Sequence, residues 1–381
     1  MEFDQTNEQG TDVHTSLVNT SLVKAGALRK SVYKGRGAVS NPDNRYAGYT
    51  NAVFDDGWDN IEEQPASVAT VVLEENIKTI ITSNQSPDID FEFSINPYRG
   101  CEHGCIYCYA RPSHAYWGLS PGLDFETKII SKPGAAKLLR KTITKAKYEC
   151  SPICIGANTD PYQPLEAKLH TTREILEVLQ EYRHPFSIIT KSQLITRDLD
   201  ILADMAANRL CSVAVSVTTL DDALKRKLEP RAASGKARIN TIRKLSEAGI
   251  KVTMLVAPVI PFINDAEIET ILEAGREAGA VSANYIFLRL PLEVADLFRE
   301  WLVEHYPQKS DHVMSLVKQS RGGQDYQSGF GRRMVGEGVF AKMIGERFRI
   351  AKRKLGFVDS DRFSLDTSQF IHERDNQLEL F

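Results

Sequence analysis

From about residue 90, two hydrophobic spacings alternate along the chain. Short runs rich in β-branched and aromatic residues fall at Phe91–Asn96, Ile153–Ala157, Phe186–Thr190, Cys211–Val217, Ile250–Val256 and Tyr285–Leu290. They read as strands. Stretches with apolar residues three and four apart follow at about Thr171–Tyr182, Arg197–Ala207, Ala237–Ala248, Asp265–Ala278 and Leu292–His305, and these read as amphipathic helices. Another helix is predicted near Gly134–Lys147, with a strand-like run, Phe125–Ser131, leading into it. Thr171 or Thr172 followed by Glu174 is a capping signal. Gly249 stands where a C′ glycine would end helix 237–248. Six strands alternating with helices imply parallel βαβ units joined by right-handed crossovers. Six units are two short of a closed eightfold barrel. The expectation is therefore an α/β fold, a partial (βα)6 barrel or open arc of TIM type, with its chemistry at the C-terminal ends of the strands.

Extensions are expected on both sides. Residues 1–65 are rich in Asn, Asp, Gly, Ser and Thr and show no sustained period, so they read as a poorly ordered extension. Within it, KSVYKGRGAVSNPDNRY is basic and DDGWDNIEE acidic. The segment is either a solvated tail wrapping the surface or a basic arm that meets phosphate. The barrel is assigned to 66–310 and a basic helical extension to 311–370. That extension holds glycine-rich RGGQDYQSGFGRRMVGEG and then a helix, VFAKMIGERFRIAKRKLGF. The helix ends in Arg347, Arg349, Lys352, Arg353 and Lys354, charges that suit a helix C-terminus or a nucleic-acid-facing patch. Residues 371–381 form a polar tail.

Charge narrows the function classes. Lys+Arg number 47 against 50 Asp+Glu, a net charge of −3, which excludes a uniformly basic nucleic-acid coat but not local patches. No run of about 18 apolar residues occurs, so no membrane span is expected. The polar N-terminus lacks the layout of a signal peptide, and the expected compartment is the cytoplasm. Six cysteines in 381 residues do not make a disulfide scaffold. In a reducing compartment, clustered cysteines bind metal or do redox chemistry.

Three of the six fall within eight residues, in SINPYRGCEHGCIYCYARP: Cys101, Cys105 and Cys108. Their C-x-x-x-C-x-x-C spacing follows the first expected strand. Gly100 and Gly104 would let the backbone turn closely around a metal centre. Three thiolates suit a four-iron cluster with one iron left open, since fully ligated clusters use four cysteines. The alternative is structural zinc with His103 or His114 as fourth ligand, in a zinc-stabilised nucleic-acid-binding protein without catalysis.

C-x-x-x-C-x-aromatic-C, with Tyr107 in the aromatic position, resembles the radical SAM superfamily over roughly residues 90–305. The resemblance implies a [4Fe–4S] cluster on Cys101, Cys105 and Cys108. It also implies S-adenosylmethionine chelating the fourth iron, and a 5′-deoxyadenosyl radical that abstracts hydrogen from a substrate. ITKSQ (189–193), SVTT (216–219), LEPRAAS (228–234) and AGIKVTMLVAPVIPFIND (248–265) are similar to the spore photoproduct lyase, or DNA-repair-photolyase-like, branch. By that resemblance Lys191 and Ser216 contact the methionyl carboxylate or ribose. Asn158, Thr159 and Asp160 lie beside the cofactor, and Tyr107 and Tyr109 near the adenine. The lyase returns hydrogen from a cysteine near the second strand end. Asn158 occupies that place here, and Cys154, four residues earlier, is either a displaced donor or a buried core residue. Each of these positions has a structural reading as well: a strand-end pair for Lys191, a small barrel residue for Ser216, a turn before Pro161 for Asp160. Arg231 binds an anion or forms a salt bridge.

The implied substrate is nucleic acid, a DNA lesion or modified base in DNA or RNA, which the enzyme must extrude. Tyr116 and Trp117 are candidate helpers, and a protein or metabolite substrate is the alternative. An external electron donor of flavodoxin or ferredoxin type is implied. The terminal Gln377-Leu378-Glu379-Leu380-Phe381 resembles the peptide with which bacterial repair proteins dock on the DNA sliding clamp, its Leu and Phe anchors suited to an apolar pocket.

Overall fold

The computed structural model describes residues 33–47, 68–359 and 364–371. Six parallel strands form the central sheet: β1 (Phe93–Ile95), β2 (Ile153–Ile155), β3 (Phe186–Thr190), β4 (Cys211–Ser216), β5 (Val252–Val259) and β6 (Ser282–Phe287). They stand in chain order, each paired with the next. Ile81–Ser83 adds an antiparallel edge beside β1. Among the described residues β1 and β6 share no ladder, so the sheet is an open six-unit barrel.

Helices cover its outer face: α1 (Ala135–Ile143), α2 (Thr171–Glu181), α3 (Leu199–Ala207), α4 (Gly235–Glu247), α5 (Ile268–Glu277) and α6 (Val294–His305). The period-2 rule explains the layering. Phe186 and Ile188 of β3 join Leu179 of α2 and Leu202 of α3 in the main core, while Ile189, next after Ile188, points to the inner face and lines the cleft there. Burying one such side chain is worth about 1.5–3 kcal/mol, and this alternation aims the inner residues at the barrel mouth.

Several boundaries shift for local reasons. The capping signal of α2 is replaced. Its N-cap is His170 in a left-handed conformation with no side-chain cap. Glu166 instead takes the amides of Thr172 and Arg173 at 3.0 and 3.4 Å. Helix α1 stops at Ile143, well short of Lys147. Thr142 and Thr144 turn their hydroxyls onto the carbonyls of Leu138 and Arg140, which competes with helix propagation. The run Phe125–Ser131 is a helical turn, Asp124–Thr127, followed by a strand, Lys128–Ser131. That strand belongs to a separate small sheet with Val71–Glu74 and Tyr98–Arg99. Strand β5 runs on through Pro258, whose bond to Ala257 is cis. Strand β6 starts three residues earlier than its pattern indicates, because small Ser282 and Ala283 pair with β5. The first turns of 197–207 and 265–278 are 3-10.

A second apolar cluster sits under the mouth. Leu288, Leu290, Val294, Phe298 and Trp301 pack with Leu224, Leu228, Ile106 and Tyr107. It holds the cysteine loop against the β6 side of the barrel.

Beyond the barrel lie α7 (Ser310–Gln319) and α8 (Gly338–Lys354). Three of the basic residues closing α8 have carboxylate partners: Arg347 with Glu269, Arg349 with Glu346, Lys352 with Asp359. On the other side, residues 33–47 are irregular but not a solvated tail, since Arg36 through Val39 are buried. Arg36 donates to the carbonyls of Glu126 and Val68 at 2.7 Å, so this arginine of the basic stretch is committed to the protein interior. DDGWDNIEE lies outside the described residues. So do Gln377, Leu378, Leu380 and Phe381. No helix of the described residues is long and apolar enough to cross a membrane.

Candidate active site at the mouth of the barrel

The cysteine loop follows β1 and is supported from beneath. The Glu126 carboxylate accepts the amides of Gly37 and Ala38, both at 2.9 Å, and pairs with buried Arg111. Gly104 has φ +66°, and a Cβ there would meet Glu126 Oε2 at 2.6 Å. Gly37 is more constrained still: its Cβ would lie 1.9 Å from the Gly104 carbonyl oxygen. Two backbones thus touch directly below the loop, which is the reason for GRGA at that place.

Cys101, Cys105 and Cys108 line one cleft with Tyr107, Tyr109, Gly156, Asn158, Asp160, Lys191 and Ser216. The cleft spans about 970 Å³ with its open mouth included, enough for a ligand of cofactor size. Cys101 and Cys105 are buried and Cys108 half-buried. Burial pushes all three thiols up. Asp160 adds to this at Cys101, and Glu229 at Cys105; backbone amides of His103, Ala110 and Arg111 relieve it only in part. Lys191 and Arg238 act against this at Cys105, and Arg111 and Lys191 at Cys108, but burial outweighs them, and a metal centre supplies the further positive charge on binding thiolates. Among the described residues, no three His, Cys, Asp or Glu side chains gather closely enough to hold a single ion. An iron–sulfur cube, whose ligands stand farther apart, fits the loop better than zinc.

The proposed zinc partners have other tasks. His114 Nε2 faces the Lys128 carbonyl at 3.0 Å and the ring packs edge-on to Phe125. Burial lowers its pKa to about 4. His103 Nδ1 faces Asp160 at 3.4 Å.

The strand ends supply the polar wall. Lys191, just after β3, places Nζ 2.6 Å from Ser216 Oγ, 3.2 Å from Thr218 Oγ1 and 3.1 Å from the Ala257 carbonyl. Glu229 stands behind it, fully buried, bound to Arg238, Thr218 and the Tyr107 hydroxyl. Burial works against its charge, but Arg238 and Lys191 outweigh that and hold the carboxyl well below the usual range. Asp160 ties β2 to β3: it accepts from Tyr162 N, Thr190 Oγ1 and Lys191 N at 2.9, 2.7 and 2.7 Å. Its burial is likewise offset, by His103 and by these donors, and its pKa is lowered. The charge on Asp160 is thus spent on fixing the loop that carries Lys191.

Two expected residues do not reach the cleft. Thr159 is buried and donates its hydroxyl to the Tyr98 carbonyl at 2.7 Å. Cys154 is buried on the inner face of β2 beside Ser187, one layer below the cleft, and its thiol is pushed up to about 12 by burial. Asn158 is exposed at the rim, its amide held by Asn96 Oδ1 at 2.8 Å. Tyr109 donates to the Ala157 carbonyl. Arg231 forms a salt bridge to Glu102 at 3.1 Å. Trp117 lies under the Arg99 guanidinium, and exposed Tyr116 stacks against Tyr46. The sequence gives no prior sign of Arg289, Glu229 and Pro258 as parts of the site or its support. Glu229 stands in the quoted LEPRAAS, and Arg289 follows the sixth strand, where a strand-end charge is the available signal.

Comparison with known proteins agrees with this geometry. The sequence profile of the Radical SAM superfamily matches residues 95–275. An uncharacterised protein of Mycobacterium tuberculosis is 34% identical over 232 residues, 60% of this chain and 68% of its own. A "Radical SAM Nalpha-GlyT isomerase" of Pseudomonas phage M6 is 26% identical over 197 residues, 51% of this chain and 38% of its own. Spore photoproduct lyase complexed with dinucleoside spore photoproduct superposes with a TM-score of 0.52 at 16% identity, over 75% of this chain and 80% of that one. The chain belongs to the radical SAM superfamily, with the fold of spore photoproduct lyase, and is an enzyme that works with a [4Fe–4S] cluster and S-adenosylmethionine.

Proposed function

We propose that this enzyme acts on nucleic acid, at a DNA lesion or a modified base. The observation that carries the site reading is the single cleft shared by the three cysteines and the polar ends of β2, β3 and β4. In this reading Cys101, Cys105 and Cys108 hold the cluster. Lys191 and Ser216 hold the methionyl carboxylate or ribose of S-adenosylmethionine. Tyr107 and Tyr109 flank the adenine, and Asn158 borders the cofactor from the rim. When bound there, the two cofactors supply a 5′-deoxyadenosyl radical for hydrogen abstraction. The chain does the rest. Glu229 and Asp160 fix the Lys191 side chain and backbone, the aromatic wall excludes water, and the apolar cluster beneath keeps the loop rigid. Thr159 and Asp160 serve as supports for the strand ends. Cys154, below the cleft, stands as the candidate hydrogen donor only if the wall at Tyr109 opens to it.

The nucleic-acid reading is supported by the fold shared with a lyase solved with a dinucleoside photoproduct. A clamp contact through Gln377, Leu378, Leu380 and Phe381 would bring the enzyme to DNA. A labelled tail peptide that shows no saturable binding to purified clamp removes that part. A flavodoxin- or ferredoxin-type donor would supply the electron.

The test is anaerobic. Reconstituted protein receives dithionite, S-adenosylmethionine and panels of irradiated DNA, RNA, peptides and metabolites, with Cys105→Ala as control. Cluster-dependent 5′-deoxyadenosine that rises with a nucleic acid supports the proposal. A rise only with peptides or metabolites rejects it.

A further inference from the structure

Arg289 lies two residues past β6, on the wall of the cleft. Its guanidinium sits 4.9 Å from the Tyr109 ring centroid and 6.0 Å from that of Tyr326. Its Nη atoms reach only Met334 Sδ at 3.5 Å and the Tyr326 hydroxyl at 3.4 Å, both weak contacts. Its Nε is buried and has no hydrogen-bond partner. Other arginines around the barrel mouth are matched: Arg231 by Glu102, Arg238 by Glu229, and Arg333 by Asp88. Among the described residues Arg289 has no such carboxylate.

A second observation points the same way. Arg321 is buried behind it and spends its donors on the carbonyls of Phe287, Leu288, Arg332 and Arg333. It too lacks a carboxylate partner among the described residues. Burial, and then repulsion from Arg289, lowers its pKa to about 10. Asp88 and Glu337 act on the two at longer range, but they are bridged to Arg333 and Arg332, so the adjacent guanidiniums leave excess positive charge in one wall of the cleft. An unpaired, half-buried cation is costly unless an anion arrives to pair it. Arginine presents a planar fork that matches phosphate.

We propose that Arg289 is a binding residue for a phosphodiester of the substrate, held between Tyr109 and Tyr326 so that its donors face the cleft. The proposal rests on the nucleic-acid reading above. The competing source of the same chemistry is the carboxylate of S-adenosylmethionine.

The experiment uses the reconstituted full chain and its Arg289→Gln and Arg289→Lys variants. Affinities are measured for fluorescein-labelled oligothymidylate, inorganic phosphate and S-adenosylmethionine. Expected for Arg289→Gln is oligonucleotide binding weaker by about tenfold or more. The salt slope should also be shallower by about 0.7, one phosphate's worth for a single strand. The affinity for S-adenosylmethionine stays as it was. Arg289→Lys should recover the salt slope and only part of the affinity. Weaker cofactor binding with oligonucleotide binding intact would overturn the proposal, as would no change in either. If the wild type binds phosphate through Arg289 but no oligonucleotide, the anion site stands and the nucleic-acid reading falls. If it binds neither, the anion site itself is rejected.

Discussion

Glu229 Oε1 lies 3.3 Å from Lys191 Nζ, across the floor of the cleft. The carboxylate comes from the loop after β4 and the cation from the end of β3, so this pair fixes one strand end against another beside Cys105. Arg238 holds the other oxygen. Breaking a buried, paired charge is expensive, about 3–5 kcal/mol. Glu229→Gln should therefore lower stability by a few kcal/mol and weaken S-adenosylmethionine binding as Lys191 loses its anchor. Denaturant unfolding and calorimetric titration check both. A variant within 0.5 kcal/mol of the parent would show that the network is idle.

Removing any one of Cys101, Cys105 and Cys108 as alanine should abolish the brown iron–sulfur chromophore and the formation of 5′-deoxyadenosine. Cys150→Ala and Cys211→Ala should keep both, because Cys150 lies apart from the loop and Cys211 is buried in the main core. Iron and sulfide analysis decides. Retention of a full cluster in a Cys105→Ala protein would contradict the ligand assignment.

Gly37→Ala places a Cβ against the Gly104 carbonyl, where neither backbone can yield cheaply. Overpacking of this kind costs about 1–3 kcal/mol. The expected result is a lower Tm and faster loss of iron in air. Gly134→Ala is the control: φ is +75° there, but nothing lies within 4 Å, so strain alone acts, and far from the cluster. Equal iron retention in the two variants would mean that residues 33–47 do not support the loop.

Acid should destabilise the fold through its buried histidines. His184 is buried, hydrogen-bonded to Tyr148 at 2.7 Å and packed against Phe370. Burial lowers its pKa to about 4, as for His114. A depressed histidine pKa means that the unfolded chain binds the proton first. Stability is then fully present above about pH 6.5 and declines as pH falls toward 4, by up to about 3 kcal/mol for each group. Unfolding free energies measured from pH 7 to 4 should show this slope. His184→Gln should flatten about half of it, and an unchanged slope would rule out His184 as a source.

The barrel was readable because its period-2 runs and helical stripes are long and agree with one another. Strands β2 to β4 start at the residues expected of them. The pattern is silent where side-chain chemistry overrides it. Thr142 and Thr144 end α1, Glu166 replaces the expected cap, and Glu126 bends a strand-like run into a turn. The cysteine loop was legible from its spacing alone. Arg289 was not, because a lone arginine after a strand has the same appearance whether it is paired or free. Only the surrounding wall, with its absent carboxylate, distinguishes the two. Thr159 and Cys154 show the converse limit: sequence proximity to a strand end does not decide which side chains face the cleft.

The double amide grip on Glu126 has an implication for anyone who trims this protein. Gly37 and Ala38 reach a carboxylate nearly ninety positions downstream. A version cut back to the first barrel strand would leave that carboxylate beside Arg111 with two of its donors gone and a gap under the loop. The barrel of this chain is thus not a portable module. Its smallest working unit begins before residue 36, and an affinity tag or fusion joint belongs upstream of that point.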